Sequence, residues 1–284
     1  MAGPFTRALS HTLAIAGSAG VSLAVPLFDL TIPKTGYSVR RDLAYGPDAS
    51  HKLDLYIPDG LTAPAPMLLF WYGGSWQSGT KNIYRAFGQA FASHGIVTAV
   101  ADYRLYPHVK YPGFIEDGAL VARLLIDRAA EFGGDARRLF LSGHSAGAYI
   151  AAMLGVNGVY LKAAGLEPSA IRGIIGIAGP YDFLPLYDPA LIDMFGGARE
   201  MATQPIKYAG NTAPPMLLAH GSADTTVGAG NSKRMAQRLL TAGNVVQVKL
   251  YEGVSHLGIV ISLAHGFRTQ TTLHADMLAF IAAH

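Results

Sequence analysis

Five short runs of almost purely apolar residues recur along the middle of this 284-residue chain. They are MLLFW (67–71), IVTAVA (96–101), LFLSG (139–143), IIGIAG (174–179) and PMLLAH (215–220). Runs of this length and composition are typical of β-strands that are covered on both faces of a mostly parallel sheet. Helix-period segments separate or follow them, at 115–132, 229–243 and 271–283. Strands that alternate with helices predict β-α-β units, and hence an α/β fold with helices on both faces of the central sheet.

More polar strand-like runs flank this series, at 38–45, 52–57 and 245–252. Residues 181–214 break the rhythm, because Pro, Tyr, Phe, Asp and Met lie there in short irregular pieces. We interpret this stretch as a small cap-like insertion over one end of the sheet. The remainder of residues 31–284 then forms one domain, which suits a chain of this length in which half of the residues are hydrophobic.

The composition excludes several kinds of site. The formal net charge is only +3, and no run of five or more basic residues occurs, so we predict no nucleic-acid partner. The chain contains no cysteine, which excludes disulfides, thiolate metal ligands and a cysteine nucleophile.

The N-terminal segment, residues 1–30, differs from the rest. Beyond Arg7, residues 8–28 carry no Lys, Arg, Asp or Glu, and Ser22-Leu23-Ala24 has the small-x-small spacing of a signal-peptide cleavage site. This favours export to the periplasm or cell exterior, or membrane anchoring, over a cytoplasmic protein with an apolar arm packed on its domain. Membrane contact is predicted only through this segment, since no other stretch approaches the roughly 20 apolar residues needed to span a bilayer.

The pentapeptide Gly143-His144-Ser145-Ala146-Gly147 has the spacing G-x-S-x-G and lies between an apolar strand and an apolar helix. At such an elbow a serine is held in a strained conformation, and the two glycines let strand and helix approach each other. The hydroxyl then lies at a helix N-terminus, where negative charge is favoured. A serine in this context is predicted to be a nucleophile rather than part of an ordinary turn.

A nucleophilic serine needs a base and an orienting acid, which in this architecture follow it in the order acid, then histidine. His256 follows the strand-like run 245–252 in the loop GVSHLG, whereas the later histidines lie in or beside the last helical stretch or at the terminus. Asp224 follows PMLLAH at the carboxyl end of a strand. Because the competing acids lie in the irregular insertion or within a strand, we predict Asp224 as the acid and His256 as the base.

The paired glycines Gly73 and Gly74 follow the strand-like run MLLFW. Attack on a carbonyl creates an oxyanion, which backbone N–H groups stabilise by about 3 kcal/mol each. Ala146, after the nucleophile, is predicted to supply one donor, and Gly73 and Gly74 the others. A phosphate-binding loop is the rival interpretation of residues 74–81, but Thr80 and Lys81 stand in the reverse of the order that it requires.

Together these segments resemble the carboxylesterase branch of the α/β-hydrolase superfamily, which includes hormone-sensitive-lipase-like esterases, BD-FAE proteins and kynurenine formamidases. The resemblance is carried by KLDLYIP (52–58), YGGSW (72–76), DYRLYP (102–107), GHSAG (143–147), HGSADTTV (220–227) and SHLG (255–258). It implies an α/β-hydrolase catalytic domain with Ser145 as nucleophile, His256 as base and Asp224 as acid. Gly73, Gly74 and Ala146 are implied as oxyanion donors.

Tyr72 is the departure, because many members of this branch carry histidine there, and it leaves the subfamily and substrate open. We predict Tyr72, Trp76, Tyr149 and, less directly, Phe183 as walls of the substrate pocket, and Asp102 with Arg104 as a structural ion pair. The predicted function is hydrolysis of small carboxylic esters with short or medium acyl groups, through an acyl-enzyme, with no metal and no cofactor. An arylformamidase that uses the same triad is the alternative, and a non-catalytic binding protein is a remote one.

Overall fold

The computed structural model describes residues 32–284. Across these residues the chain forms one sheet of eight strands in the order β1-β2-β4-β3-β5-β6-β7-β8. The strands are β1 (Tyr37–Ala44), β2 (Lys52–Pro58), β3 (Ala65–Trp71), β4 (Val97–Ala101), β5 (Gly134–His144), β6 (Ile171–Ile177), β7 (Met216–Gly221) and β8 (Val246–Tyr251). β2 runs antiparallel to β1 and β4, and every other neighbouring pair is parallel. The mostly parallel sheet is therefore as predicted.

The central strands are buried on both sides. Every residue of β4 and of β7 is buried, and successive side chains of a strand point to opposite faces. Both faces of the sheet must therefore be covered. The α-helices within residues 32–284 are α1 (Arg85–Ala92), α2 (Gly113–Asp127), α3 (Ala146–Val156), α4 (Val159–Ala163), α5 (Pro189–Phe195), α6 (Pro205–Tyr208), α7 (Gly230–Thr241), α8 (His256–Ile261) and α9 (Leu273–Ala283).

The stretch predicted as an insertion lies between β6 and β7 and contains the two short helices α5 and α6. Ionic and polar contacts attach it to the segment that precedes α2. Lys110 Nζ lies 2.6 Å from Asp193 Oδ1, and the Tyr111 N–H donates to the Met194 carbonyl at 3.1 Å. Its interpretation as a cap stays a prediction, as do the domain boundaries.

The predicted ion pair between Asp102 and Arg104 is wrong. The Arg104 guanidinium instead binds Asp117 of α2, with Nη2 2.6 Å from Oδ1, while Asp102 accepts the N–H of Lys81 at 2.7 Å. Asp117 is fully buried and also contacts the His51 ring, so its charge requires a nearby cation. Asp102 directly follows β4 and faces the loop after β3, whereas Arg104 has already turned towards α2.

The segment predicted to be an export signal or packed arm, including its cleavage site, lies outside the described residues. Within residues 32–284, no helix combines the length and apolarity that crossing a membrane requires.

Candidate active site

Ser145 is the single residue between β5 and α3. Its backbone angles are φ 53° and ψ −118°, and a positive φ in a residue other than glycine is uncommon. Such a conformation costs on the order of 1–3 kcal/mol and persists only where the surroundings impose it. The Ser145 N–H donates to the Ile177 carbonyl at 2.8 Å, which ties the elbow to the end of β6. The strained elbow predicted from G-x-S-x-G is present.

The glycines on either side of Ser145 allow this geometry. A Cβ on Gly143 would lie 2.2 Å from the carbonyl carbon of Gly147, and a Cβ on Gly147 would lie 2.0 Å from the Trp71 carbonyl oxygen. Side chains at these positions would therefore separate β5 from α3, and α3 from the end of β3. The Ala146 N–H begins α3, where backbone donors have no partner within the helix.

Asp224 and His256 come together at the same edge of the sheet. Asp224 lies three residues beyond β7, and His256 opens α8 after β8. The His256 Nδ1 lies 2.7 Å from Asp224 Oδ2. Since an ionised carboxylate only accepts, Nδ1 carries the proton and Nε2 is left as the basic nitrogen. No hydrogen bond joins His256 to the Ser145 hydroxyl within residues 32–284, and such catalytic bonds often tighten only when substrate binds.

The Asp224 carboxylate accepts hydrogen bonds at both oxygens. Oδ1 accepts the N–H groups of Thr226 and Val227 at 2.9 and 2.8 Å, and Oδ2 accepts from His256. His220 Nε2 lies 3.2 Å from the same Oδ2. Burial raises the pKa of Asp224, but the hydrogen bonds from His220, His256 and Val227 outweigh it and hold the pKa well below its usual range. The acid is therefore ionised at neutral pH.

His220, at the end of β7, is a site residue that sequence reasoning did not single out. Its ring is fully buried, and Nε2 also lies 2.7 Å from the Val227 carbonyl oxygen. A carbonyl only accepts, so Nε2 carries the proton and Nδ1 accepts from the Ser232 hydroxyl at 2.8 Å. His220 thus supports the loop that holds Asp224. The only sequence signal was its place in HGSADTTV.

The loop after β3 lies directly against the nucleophile, since a Cβ on Gly73 would approach the Ser145 Cβ to 2.9 Å. The N–H of Gly73 faces the Tyr84 hydroxyl across 3.5 Å, which disagrees with its predicted role as an oxyanion donor. The N–H groups of Gly74 and Ser75 have no hydrogen-bond partner among residues 32–284. Gly74, Ser75 and Trp76 have φ values of 129°, 51° and 59°, so this part of the loop is held in unusual conformations. Ser75 is a candidate donor that the prediction missed.

The prediction of Tyr72 as a wall of the pocket is also wrong. Its side chain is 1% exposed and stacks on the Tyr103 ring at 4.7 Å, because the chain beyond β3 turns this ring into the core. Burial, followed by the nearby Asp102 carboxylate, raises the pKa of the Tyr72 hydroxyl. The residue lines a separate cavity of about 460 Å³ that Thr80 and His108 also line. Tyr72 therefore packs into the core and supports the loop after β3.

The other three predicted pocket residues pack together in what we call the aromatic cluster, formed by Trp76, Phe114, Tyr149, Phe183 and Phe195. The Trp76 ring lies 5.1 Å from Tyr149, 6.0 Å from Phe183 and 5.0 Å from Phe195. Tyr149 lies one turn beyond the nucleophile, since its N–H donates to the Ser145 carbonyl at 3.1 Å. The aromatic cluster therefore joins the loop after β3, the helix α3 and the predicted cap beside Ser145.

Comparison with known proteins decides the family. The model of the family described as BD-FAE matches residues 53–239, which is more than half of the chain. The chain belongs to the BD-FAE family. The predicted resemblance to this branch of the esterases is confirmed, and the α/β-hydrolase fold agrees with the solved structures that resemble this BD-FAE protein.

Curated relatives carry esterase names. "Probable isoprenylcysteine alpha-carbonyl methylesterase ICMEL1" of Arabidopsis thaliana is 31% identical over 247 residues, covering 78% of this BD-FAE chain and 52% of that protein. Esterase LipC of Mycobacterium tuberculosis is 29% identical over 310 residues, covering 98% and 76% respectively. The BD-FAE chain spans about half the length of the plant relatives that it matches.

Solved esterases share the fold of the BD-FAE protein. A truncated carbohydrate esterase from gut microbiota superimposes with a TM-score of 0.74 at 21% identity, covering 88% of this chain and 98% of that one. The apo form of Thermogutta terrifontis esterase 2 gives a TM-score of 0.71 at 25% identity, covering 88% and 96%.

His144, immediately before Ser145, is expected to make the stability of the BD-FAE protein depend on pH. Burial, followed by the neighbouring His256 ring, lowers the pKa of His144 from 6.5 to about 3. Between these values the unfolded chain holds a proton that the folded ring lacks, so acid favours unfolding. The free energy of unfolding should therefore rise by about 2 kcal/mol from pH 5 to pH 7.5 through His144 alone, at about 1.4 kcal/mol per pH unit.

Urea unfolding of wild type and His144→Gln at pH 5, 6 and 7.5 tests this dependence. The variant lacks the titrating ring and should show a flatter dependence on pH. Some slope should remain, because burial also lowers the pKa of His274 to about 4. Equal slopes in the two proteins would contradict the assignment to His144.

Proposed function

We propose that this protein hydrolyses small carboxylic esters through an acyl-enzyme, with Ser145 as nucleophile, His256 as base and Asp224 as the orienting acid. The observation that carries the proposal is the 2.7 Å contact between His256 Nδ1 and Asp224 Oδ2 beside the strained Ser145 elbow. This contact supports the relation between base and orienting acid that acyl transfer requires, and we propose that His256 Nε2 and the Ser145 hydroxyl come together when substrate binds.

In the first half of the reaction, His256 Nε2 removes the Ser145 proton while Oγ attacks the ester carbonyl carbon. The carbonyl oxygen becomes an oxyanion, which accepts hydrogen bonds from the N–H groups of Ala146, Gly74 and Ser75. The tetrahedral intermediate collapses, the carbon–oxygen bond to the alcohol breaks, and His256 returns its proton to the leaving alcohol. The ionised Asp224 stabilises the imidazolium that exists between these proton transfers.

In the second half, water replaces the alcohol. His256 removes a proton from the water as it attacks the acyl-enzyme, and the same oxyanion donors stabilise the second intermediate. Collapse breaks the bond to Ser145 Oγ, which takes the proton back from His256. The products are the carboxylic acid and the free enzyme, so atoms and charge balance without a cofactor.

The aromatic cluster supports a small substrate. Tyr149 and Phe195 are almost fully buried, and the Tyr149 hydroxyl donates to the Thr203 carbonyl of the predicted cap at 2.5 Å. Closely packed rings beside the nucleophile leave little room for a long acyl chain on that side. The names of the relatives agree with ester hydrolysis, and the plant proteins are named for removal of a methyl ester.

A series of p-nitrophenyl esters tests the proposed function. We expect kcat/KM to be highest for acetate or butyrate and to fall by at least about tenfold per step towards octanoate and palmitate, because a filled pocket rejects added methylenes at about 1–3 kcal/mol each. A fluorophosphonate should label one site per chain, at Ser145. N-formylkynurenine is the comparison substrate, and a higher kcat/KM for it than for every ester would replace esterase with arylformamidase. Absence of both labelling and turnover would favour the non-catalytic binding protein over either hydrolase.

A further inference from the structure

His144 lies between Gly143 and the proposed nucleophile, and its ring is buried and hydrogen-bonded at both nitrogens. Nε2 lies 3.0 Å from the backbone carbonyl oxygen of His256, and Nδ1 lies 3.2 Å from the Tyr84 hydroxyl. A carbonyl oxygen can only accept, so Nε2 carries the proton. Nδ1 must then accept the proton of the Tyr84 hydroxyl. Both bonds of His144 are therefore assigned without ambiguity.

The contacts continue beyond Tyr84. Because the Tyr84 hydroxyl donates its hydrogen bond to His144, its oxygen is free to accept one, and it faces the Gly73 N–H at 3.5 Å. One connected chain thus runs from Gly73 through Tyr84 and His144 to the backbone of His256. We call it the Gly73–His256 chain. It joins the loop that holds the proposed oxyanion donors to the residue that supplies the proposed base.

Few hydrogen bonds hold His256 in position. Among residues 32–284, its hydrogen bonds from outside its own helix are the one to Asp224 and the one from His144. The first bond acts on the ring and the second on the backbone, so together they fix both the rotation and the location of the imidazole. The His144 and His256 ring centroids also lie 4.7 Å apart. A neutral His144 leaves His256 free to carry the positive charge without a second cation beside it.

We propose that His144 is a positioning residue, which links the base-bearing and oxyanion-binding loops through the Gly73–His256 chain and does not touch the substrate. This inference rests on the proposed function, because the two loops matter together only if Ser145 acts as a nucleophile. Misplacement of catalytic groups by about 1 Å lowers rates by about 10²-fold. Loss of the Gly73–His256 chain should therefore lower kcat and leave KM nearly unchanged.

The test measures kcat per active site, with the site concentration titrated by a fluorophosphonate. His144→Leu removes both hydrogen bonds and should lower kcat by about 10²-fold, with KM changed less than about threefold. His144→Gln keeps an amide donor within reach of the His256 carbonyl and should recover at least about tenfold of that loss. His265→Gln, at an exposed histidine, is the control and should match wild type.

Tyr84→Phe removes the hydroxyl in the middle of the Gly73–His256 chain and should lower kcat by about tenfold. The double variant Tyr84→Phe, His144→Gln should be less impaired than the product of the two single effects, because residues of one network are not additive. This comparison of the single and double variants provides the test if His144→Leu fails to fold.

Two failures are distinguishable. Wild type that is neither labelled nor active would overturn the proposed function itself. Wild type that is labelled and active, with unchanged kcat per site in the His144 and Tyr84 variants or with strictly multiplicative effects, would overturn only this inference. A fall in melting temperature alone would then show that His144 is merely structural.

Discussion

Ser145→Ala is expected to lower kcat for p-nitrophenyl butyrate by about 10⁶-fold, as loss of the nucleophile does in serine proteases. The proposed reaction has no other group that can form the acyl-enzyme, so the oxyanion donors alone would provide the remaining rate. Alanine shares the backbone preferences of serine, so the positive φ at position 145 costs the variant no more than the wild type. The melting temperature should accordingly change by no more than a few degrees.

The measurement is kcat with purified variant and with Ser93→Ala as a matched control, since Ser93 is exposed at the end of α1. The control should keep wild-type turnover and fluorophosphonate labelling, and Ser145→Ala should lose both. Turnover of Ser145→Ala within about tenfold of wild type would eliminate Ser145 as the nucleophile. Labelling that persists in that variant would place the reactive serine elsewhere.

The sequence was most informative where local geometry and chemistry coincide. A G-x-S-x-G stretch between an apolar strand and an apolar helix predicts a strained elbow, and Ser145 has φ 53° there. Asp224 and His256 were chosen because each follows a strand. Parallel strands end at one edge of the sheet, so residues 32 positions apart along the chain meet at 2.7 Å.

The sequence pattern could not predict the direction of backbone N–H groups and side chains in the loops. Whether a loop N–H faces the substrate or a protein oxygen depends on individual φ and ψ angles, and paired glycines permit many of them. Gly73 was therefore predicted as an oxyanion donor although its N–H faces the Tyr84 hydroxyl. For the same reason nothing local indicated that the Tyr72 ring turns into the core.

Contacts between distant segments were invisible for a different reason. The bond between Tyr84 and His144 joins residues 60 positions apart, and the one between His144 and His256 joins residues 112 positions apart. Each depends on which segments meet where the strands end, and a single sequence does not display this. The Arg104–Asp117 pair is similar, because it exists only once α2 lies against the segment after β4.

Asp224→Asn is expected to lower kcat by about 10⁴-fold, the loss seen when the equivalent acid is neutralised in a serine protease. The local hydrogen bonds explain why an amide should fail here. Two backbone donors, from Thr226 and Val227, face Oδ1 and cannot change into acceptors. At Oδ2 the only other donor among residues 32–284 is His220 Nε2, at a longer 3.2 Å, so we expect the asparagine to turn its oxygen towards Thr226 and Val227 and its NH₂ group towards His256.

An NH₂ group facing His256 Nδ1 requires that nitrogen to accept, which moves the ring proton to Nε2. The imidazole is then in the tautomer that cannot remove the Ser145 proton, although its position is unchanged. Loss of activity with a retained fold is thus the expected result, measured as kcat beside the melting temperature. Asp127→Asn, which neutralises an exposed carboxylate on α2, is the matched control and should keep wild-type turnover. If Asp224→Asn loses less than about tenfold, another residue orients His256, and the two hydrogen bonds that Oδ1 accepts serve only to fold the loop.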